Sequence, residues 1–358
     1  MSAMKTIRVC FLIQAMSDGG AQKQCVYLLN ELQNRKDVDL HLIYFFPGVH
    51  DHLLQRGNLS IHKLSVGSNY NPMNILRLRT LLRDLQADIL LSWLHACDIY
   101  SFFVKLSMPE LTWLMTERDS SYPPDPRYWL RRHIGIYADA IIANSEKGKA
   151  YWIAAGAMQP CIVIPNTVQP ILPASGASRI NTVLYAGRLT HQKNVTAVIE
   201  SFCILARRRP ELRFSILGDG ILKGDLEDIV QSARLGDQIE FLGFRQDIAD
   251  HLSKAGMVVS LSHHEGLPNV LLESVMAGST IVASDIPEHR ELLGPDYPFY
   301  VSDRNDPGAC ADVMEKALST TSTDVMAFAN SRISQMSPKQ IAASYIDVFR
   351  RMKSMRDE

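Results

Sequence analysis

The sequence predicts an α/β protein of two successive domains, each a parallel sheet covered by helices. Three observations carry this. The chain has 358 residues, more than one core comfortably serves, since cores stop growing at about 250–300 residues. Short apolar runs alternate with longer amphipathic stretches, the pattern of strand–helix–strand units. A stretch rich in turn formers, with Pro170, Pro173, Ser175, Gly176 and Ser178, interrupts that alternation near the middle.

The elements follow in order. Residues 7–13 are apolar except for Arg8 and form a buried-strand candidate, and Ser17-Asp18-Gly19-Gly20 turns after it. Residues 21–33 place Val26, Leu29 and Leu32 at helical spacing. Strands are expected at 40–46 and 59–64, then a helix over 74–86 with Ile75, Leu78, Leu82 and Leu85 on one side. Further strands fall at 88–93, 111–115, 138–143 and 161–164. Past the break, strands are expected at 182–186, 213–217, 239–242, 257–261 and 280–283, with helices at 195–208 and 222–235. A terminal helix spans 338–355. These runs give a first domain at 1–168, a linker at 169–180, a second domain at 181–337 and a closing helix at 338–358 that either stays with the second domain or crosses back to the first.

Composition narrows the function. Apolar residues make up 46% and charged residues 21%, so the chain is not mostly disordered. The formal net charge is -1, which argues against a general nucleic-acid binder. Residues 1–168 carry 17 basic and 14 acidic side chains and residues 169–358 carry 20 and 24, a lean of +3 against -4. Six cysteines contain no C-x-x-C pair and read as buried free thiols of a reducing compartment. No run of about 18 apolar residues is present, and residues 1–8 lack a signal-peptide plan. A cytoplasmic protein is expected.

Two segments carry chemistry. Gly187-Arg188-Leu189-Thr190-His191-Gln192-Lys193 joins an expected strand to an expected helix. Gly187 permits close backbone approach, and Arg188 and Lys193 could reach one anion, Arg as a fork and Lys as a point charge. Two solvated bases near a helix start would look the same. The second segment, His264-Glu265-Gly266-Leu267-Pro268-Asn269-Val270-Leu271-Leu272-Glu273, sets two carboxylates eight apart about a helix start suited to Pro268. Free N–H groups there suit an anion, and the carboxylates suit neighbouring hydroxyls. A solvated Glu beside a helix-face Glu is the plain alternative.

On these residues the chain resembles the family-four retaining glycosyltransferases. The G-R-L-x-x-x-K segment at 187–193 resembles the diphosphate-binding loop, and E-G-L-P-x-x-x-x-E at 265–273 resembles the E-x7-E motif. The resemblance runs from the Gly-Gly-Ala loop at 19–21 to the tail helix. It implies the GT-B architecture, two Rossmann-like domains facing each other across a cleft. It also implies transfer of a hexose or N-acetylhexosamine from a nucleotide-sugar, UDP-sugar favoured, to a glycan or lipid-linked acceptor with retained configuration, without metal or other cofactor. Many enzymes of this pattern build bacterial surface polysaccharides or lipid-linked oligosaccharides.

Roles follow by the same resemblance. Arg188 and Lys193 neutralise the diphosphate. Glu265, with Gly266, Leu267, Pro268 and Asn269, holds the donor sugar and phosphate, and Glu273 binds the ribose. Gly243 and Phe244 border the base, and Gly19 and Gly20 let the first helix approach the diphosphate or acceptor. Two departures stand out: Gln22 occupies the place of a frequent Glu, and Thr116-Glu117-Arg118-Asp119 replaces a frequent His. Either Arg118 or Glu117 fills that front-domain position, or the two form a surface pair.

Other signals are weaker. Gly218-Asp219-Gly220 lacks the third glycine of a dinucleotide fingerprint at the right spacing, and no clean fingerprint exists for an oxidoreductase. The histidines at 50, 52, 263 and 264 form no convincing ligand set. His95 follows the expected strand at 88–93 and could face the cleft. Asn144-Ser145 reads as a helix cap. Residues 127–133 mix bases with aromatics, which fits either peripheral membrane contact or a packed helix with a basic outer face. A nucleotide-sugar epimerase on the same fold and a non-catalytic nucleotide-sugar-binding protein are the rival readings.

Overall fold

The computed structural model describes residues 6–17, 19–55, 57–64, 71–119, 121–172, 181–320 and 323–357. The chain forms two compact units. One is built from the chain up to Thr167 together with the segment from Met336 onward, and the other runs Val168–Gln335. Of the expected linker, positions 173–180 lie outside the described residues.

Unit 1 begins with β1 (Ile7–Ala15), α1 (Gly20–Leu32), β2 (Val38–Phe46), β3 (Leu59–Lys63) and α2 (Met73–Asp84). It continues with β4 (Ile89–Trp93), α3 (His95–Ser107), β5 (Thr112–Glu117), α4 (Pro126–Gly135), β6 (Ala140–Ala143), α5 (Glu146–Ala154) and β7 (Cys161–Val163). The seven strands are parallel in the order β3-β2-β1-β4-β5-β6-β7. β4, β5 and β6 are buried along their whole length, and β4 and β6 are dominated by apolar residues, β6 without a break.

Unit 2 contains β8 (Thr182–Ala186), α6 (Val195–Arg208), β9 (Arg213–Leu217), α7 (Lys223–Ala233), β10 (Ile239–Gly243), α8 (Ile248–Lys254) and β11 (Met257–Ser260). It closes with α9 (Asn269–Met276), β12 (Thr280–Ser284), α10 (Pro287–Leu293), β13 (Tyr300–Val301), α11 (Pro307–Ser319) and α12 (Ala327–Ile333). Its six parallel strands run β10-β9-β8-β11-β12-β13.

In each sheet the order reverses beside the first strand, at β1/β4 and at β8/β11. Open parallel sheets bind ligands at the carboxyl ends of such switch points. The loop at 187–193 follows β8 and the loop at 261–268 follows β11, so both chemistry-bearing segments leave the switch point of unit 2.

The terminal helix α13 (Pro338–Asp357) belongs to unit 1. Ile341, Ala342, Tyr345, Ile346, Val348, Phe349 and Met352 are buried there in one core with α1 and β1. Polar ties reinforce the seat: Arg350 to Asp37 and Lys353 to Asp88 at 2.5 and 2.8 Å.

Several elements differ from expectation for local reasons. The expected helix over 222–235 stops at Ala233 because Arg234 takes a left-handed φ of 57°. β5 runs on through Glu117, which is fully buried. His95 is the first residue of α3, preceded by Leu94 at φ 76°, a strained backbone for a non-glycine residue. Ser145 caps α5, accepting from the Gly148 N–H at 3.1 Å as expected. The six cysteines are free, five of them buried and Cys161 partly so.

Candidate functional site

The loop after β8 is shaped by close backbone packing. Gly187 N–H donates to Leu217 O and Leu189 N–H to Asp219 O, both at 2.9 Å, so the loops after β8 and β9 run against one another. Gly218 makes this possible: its φ is 136°, and a Cβ there would sit 1.9 Å from the Gly187 carbonyl. The Gly218-Asp219-Gly220 turn is thus a packing device for the neighbouring loop.

The loops after β8 and β11 are laced together. His263 N–H donates to Gln192 O at 2.9 Å, and the Gln192 amide donates to His264 O at 3.2 Å. The Lys193 ammonium reaches Glu265 Oε1 at 2.5 Å, and Ser262 Oγ donates to the same oxygen at 2.7 Å. Burial alone would raise the Glu265 pKa, but the Lys193 charge and hydrogen bond, with Ser262, hold it below the usual range. The carboxylate is therefore ionised and oriented, with 6% of the residue exposed.

Arg188 is exposed and touches Gln192 Oε1 at 3.4 Å. Gly266, Leu267 and Pro268 are buried, and Asn269 opens α9. Glu273 lies one turn into that helix, also buried. Phe244 is exposed after Gly243, whose φ is 68°. The geometry thus joins Lys193 and Glu265 directly. Arg188 is tied to the same loop framework through Gln192.

Beneath this lies support from residues outside the two motifs. Glu288 Oε1 accepts the Glu265 N–H at 3.3 Å. Ser284 Oγ donates to Ser262 O at 2.7 Å, and His289 Nδ1 lies 2.8 Å from Ser284 O. Ser262, Ser284, Glu288 and His289 are all at most 1% exposed. For Ser262 and Ser284 the available signal was a hydroxyl at the end of an apolar run, whereas Glu288 and His289, within α10, left none.

In unit 1, Gly19 precedes α1 and Gly20 begins it. The Gln22 side chain folds back to Ser17 Oγ at 3.0 Å and fills the space where a Cβ on Gly19 would stand. Arg118 stacks on Trp93 at 3.8 Å and donates to Asn166 Oδ1 at 3.1 Å and to Tyr345 OH at 2.5 Å. It links three segments of unit 1.

Glu117 is equally engaged. Its carboxylate accepts from the Arg118 and Asp119 N–H groups, Trp152 Nε1, Arg131 and Tyr122 OH. Arg131 also meets Asp98 at 2.6 Å, and burial of Asp98 raises its carboxyl to about 6 against the pull of Arg131. His95 packs edge-on to Tyr128, and burial followed by the charges of Arg131 and Arg127 lowers its pKa. Among the described residues no cluster of three or more His, Cys, Asp or Glu is placed to hold a metal, and no helix is long and apolar enough to cross a membrane.

Residues 174–332 match the family described as glycosyl transferases group 1. A Campylobacter jejuni relative, GalNAc-alpha-(1->4)-GalNAc-alpha-(1->3)-diNAcBac-PP-undecaprenol alpha-1,4-N-acetyl-D-galactosaminyltransferase, is 26% identical over 75% of this chain and 77% of its own length. A second from the same organism, N-acetylgalactosamine-N,N'-diacetylbacillosaminyl-diphospho-undecaprenol 4-alpha-N-acetylgalactosaminyltransferase, is 32% identical over 44% of this chain and 45% of its own. The crystal structure of Anabaena Alr3699/HepE in complex with UDP and glucose superposes with a TM-score of 0.80 at 16% identity, covering 96% of this chain and 99% of that one. The fold is of the GT-B class, with two Rossmann-like parallel-sheet units.

Proposed function

We propose that this chain, whose second unit matches the glycosyl transferases group 1 family, is a retaining glycosyltransferase that moves a hexose or N-acetylhexosamine from a nucleotide-sugar to a glycan or lipid-linked acceptor. The observation that carries the reading is the Lys193–Glu265 contact, which ties the two motif loops together at neighbouring strand ends. A UDP-sugar is the favoured donor, in keeping with the UDP bound by the Anabaena protein. The undecaprenol-linked substrates named for the Campylobacter relatives favour a lipid-linked acceptor and a role in glycoconjugate or polysaccharide synthesis.

Breaking a sugar–diphosphate bond puts negative charge on the leaving phosphate and positive charge on the anomeric carbon. Arg188 and Lys193 would stabilise the first, and Glu265 with the buried 266–268 backbone would hold the sugar. Glu273 would take the ribose hydroxyls, and Gly243 and Phe244 would border the base. The leaving phosphate would accept the acceptor's proton in a front-face displacement, with protein cations supplying the positive charge in place of a metal. Acceptor binding falls to unit 1, with Gly19 and Gly20 at the start of α1. Six free cysteines fit a cytoplasmic site of action.

Thermal shift against UDP-, GDP- and ADP-sugars tests the reading. At least one should raise the melting temperature, as binding to the folded state requires. Stabilisation by none would overturn the donor assignment, and loss of transfer on adding chelator would overturn the metal-free chemistry. Turnover of the donor with no acceptor present would favour an epimerase.

Membrane contact through α4 is part of the same proposal. Trp129 and Leu130 stand exposed on this helix beside Arg127, Arg132 and His133, and Ile136 and Tyr137 follow it, also exposed. Aromatic and basic side chains together suit an anionic interface. The chain should cosediment with phosphatidylglycerol vesicles more than with phosphatidylcholine vesicles. Combining Trp129→Ala with Arg132→Ala should abolish the difference, and equal binding to both lipids would remove α4 from the account.

A further inference from the structure

Glu265 is held at its carboxylate and at its backbone by residues outside both motifs. On one side, hydrogen bonds run in a single direction. The Ser284 carbonyl can only accept, so His289 Nδ1 at 2.8 Å must carry the proton. Ser284 Oγ then donates to Ser262 O at 2.7 Å, and Ser262 Oγ donates to Glu265 Oε1 at 2.7 Å. On the other side, Glu288 Oε1 receives the backbone N–H of Glu265.

This arrangement links three elements. His289 and Glu288 sit on α10, Ser284 ends β12, and Ser262 and Glu265 lie in the loop after β11. Every member of the chain from His289 to Ser262 is at most 1% exposed. Burial lowers the His289 pKa, which keeps the ring neutral, and Nε2 has no hydrogen-bond partner among the described residues. A neutral imidazole protonated at Nδ1 is the one form that donates to the Ser284 carbonyl without adding a buried charge.

We infer that His289 is a positioning residue for Glu265, acting through Ser284 and Ser262 to fix the carboxylate where a donor sugar would meet it. The inference rests on the glycosyltransferase reading. It adds a residue that neither motif contains and that touches no substrate itself. Its effect is geometric: a displaced Glu265 still leaves room for the diphosphate but no longer meets the reacting sugar correctly.

The test compares three variants in the full chain, measuring kcat and KM with whichever nucleotide-sugar the wild type turns over, the Kd for UDP, and the melting temperature. His289→Phe keeps bulk but removes the donor. It should lower kcat about tenfold to a hundredfold while the Kd for UDP stays within about twofold. His289→Asn restores an N–H near the Nδ1 position and should recover kcat to within about threefold of wild type. Ser284→Ala cuts the link one step further on without a ring to misplace. It should reproduce the kcat loss even if His289→Phe fails to fold.

Wild-type kcat in both His289→Phe and Ser284→Ala would overturn the inference. So would a fall in melting temperature with unchanged kcat per folded molecule, or an Asn variant as impaired as Phe, since each marks a purely structural histidine. A wild-type chain that turned over no nucleotide-sugar would instead overturn the functional reading, and the inference with it.

Discussion

Lys193 and Arg188 lie five residues apart in one loop, yet their surroundings give them different energetics. Lys193 pairs with a buried carboxylate, its side chain 18% exposed. Lys193→Ala would leave the Glu265 charge without its cation, at a cost of about 3 kcal/mol, the low end for a broken buried pair because solvent still reaches the ammonium. Arg188→Ala should change stability by no more than about 0.5 kcal/mol, as for other surface sites. Both should weaken transition-state binding by about 2–5 kcal/mol if both face the diphosphate. Urea midpoints set beside kcat/KM separate the two effects. Equal destabilisation by the two variants would contradict the burial difference, and an active Arg188→Ala would remove that side chain from the donor site.

At the scale of elements, glycine conformation decides how the loops of unit 2 meet. Gly218→Ala would force a Cβ into the Gly187 carbonyl at a φ of 136°, and should cost about 3 kcal/mol and displace the loop that carries Arg188. Gly224 in α7 has open space around it, so Gly224→Ala should gain up to about 1 kcal/mol through helix propensity. Thermal melts of the two variants should move in opposite directions.

The same scale shows what could be read in advance. The strands at 182–186 and 213–217 and the helix at 195–208 stand where their apolar patterns place them. The helix α5 left almost no one-sided apolar pattern, and β13 has only two residues. In the site, the two motif loops were legible from residue type and spacing. The environment of Arg118 was not. Trp93 and Tyr345 stand 25 and 227 positions away from it, and only the assembled sheet and tail helix bring them to the guanidinium.

For the molecule as a whole, the decisive element is α13. Its seven buried apolar residues contribute on the order of 10 kcal/mol, comparable to the entire stability of an ordinary domain. A chain ending at residue 335 should therefore keep a folded unit 2 but lose unit 1, seen as partial protection from protease and strong binding of a hydrophobic dye. A synthetic peptide of residues 338–357 added to that chain should restore the protection. An intact unit 1 in the truncated chain would show that the tail is dispensable.

That dependence fixes an order of events during synthesis. Unit 1 is assembled from both ends of the sequence, and unit 2 is read out between them. Roughly 190 residues separate Thr167 from the end of α13, so at about 5–20 residues per second the first unit waits on the order of 10–40 s for its missing helix. Through that interval a nearly finished apolar surface is open while the later-made unit can already close. During synthesis the ribosome or a chaperone would have to shield unit 1 until α13 arrives.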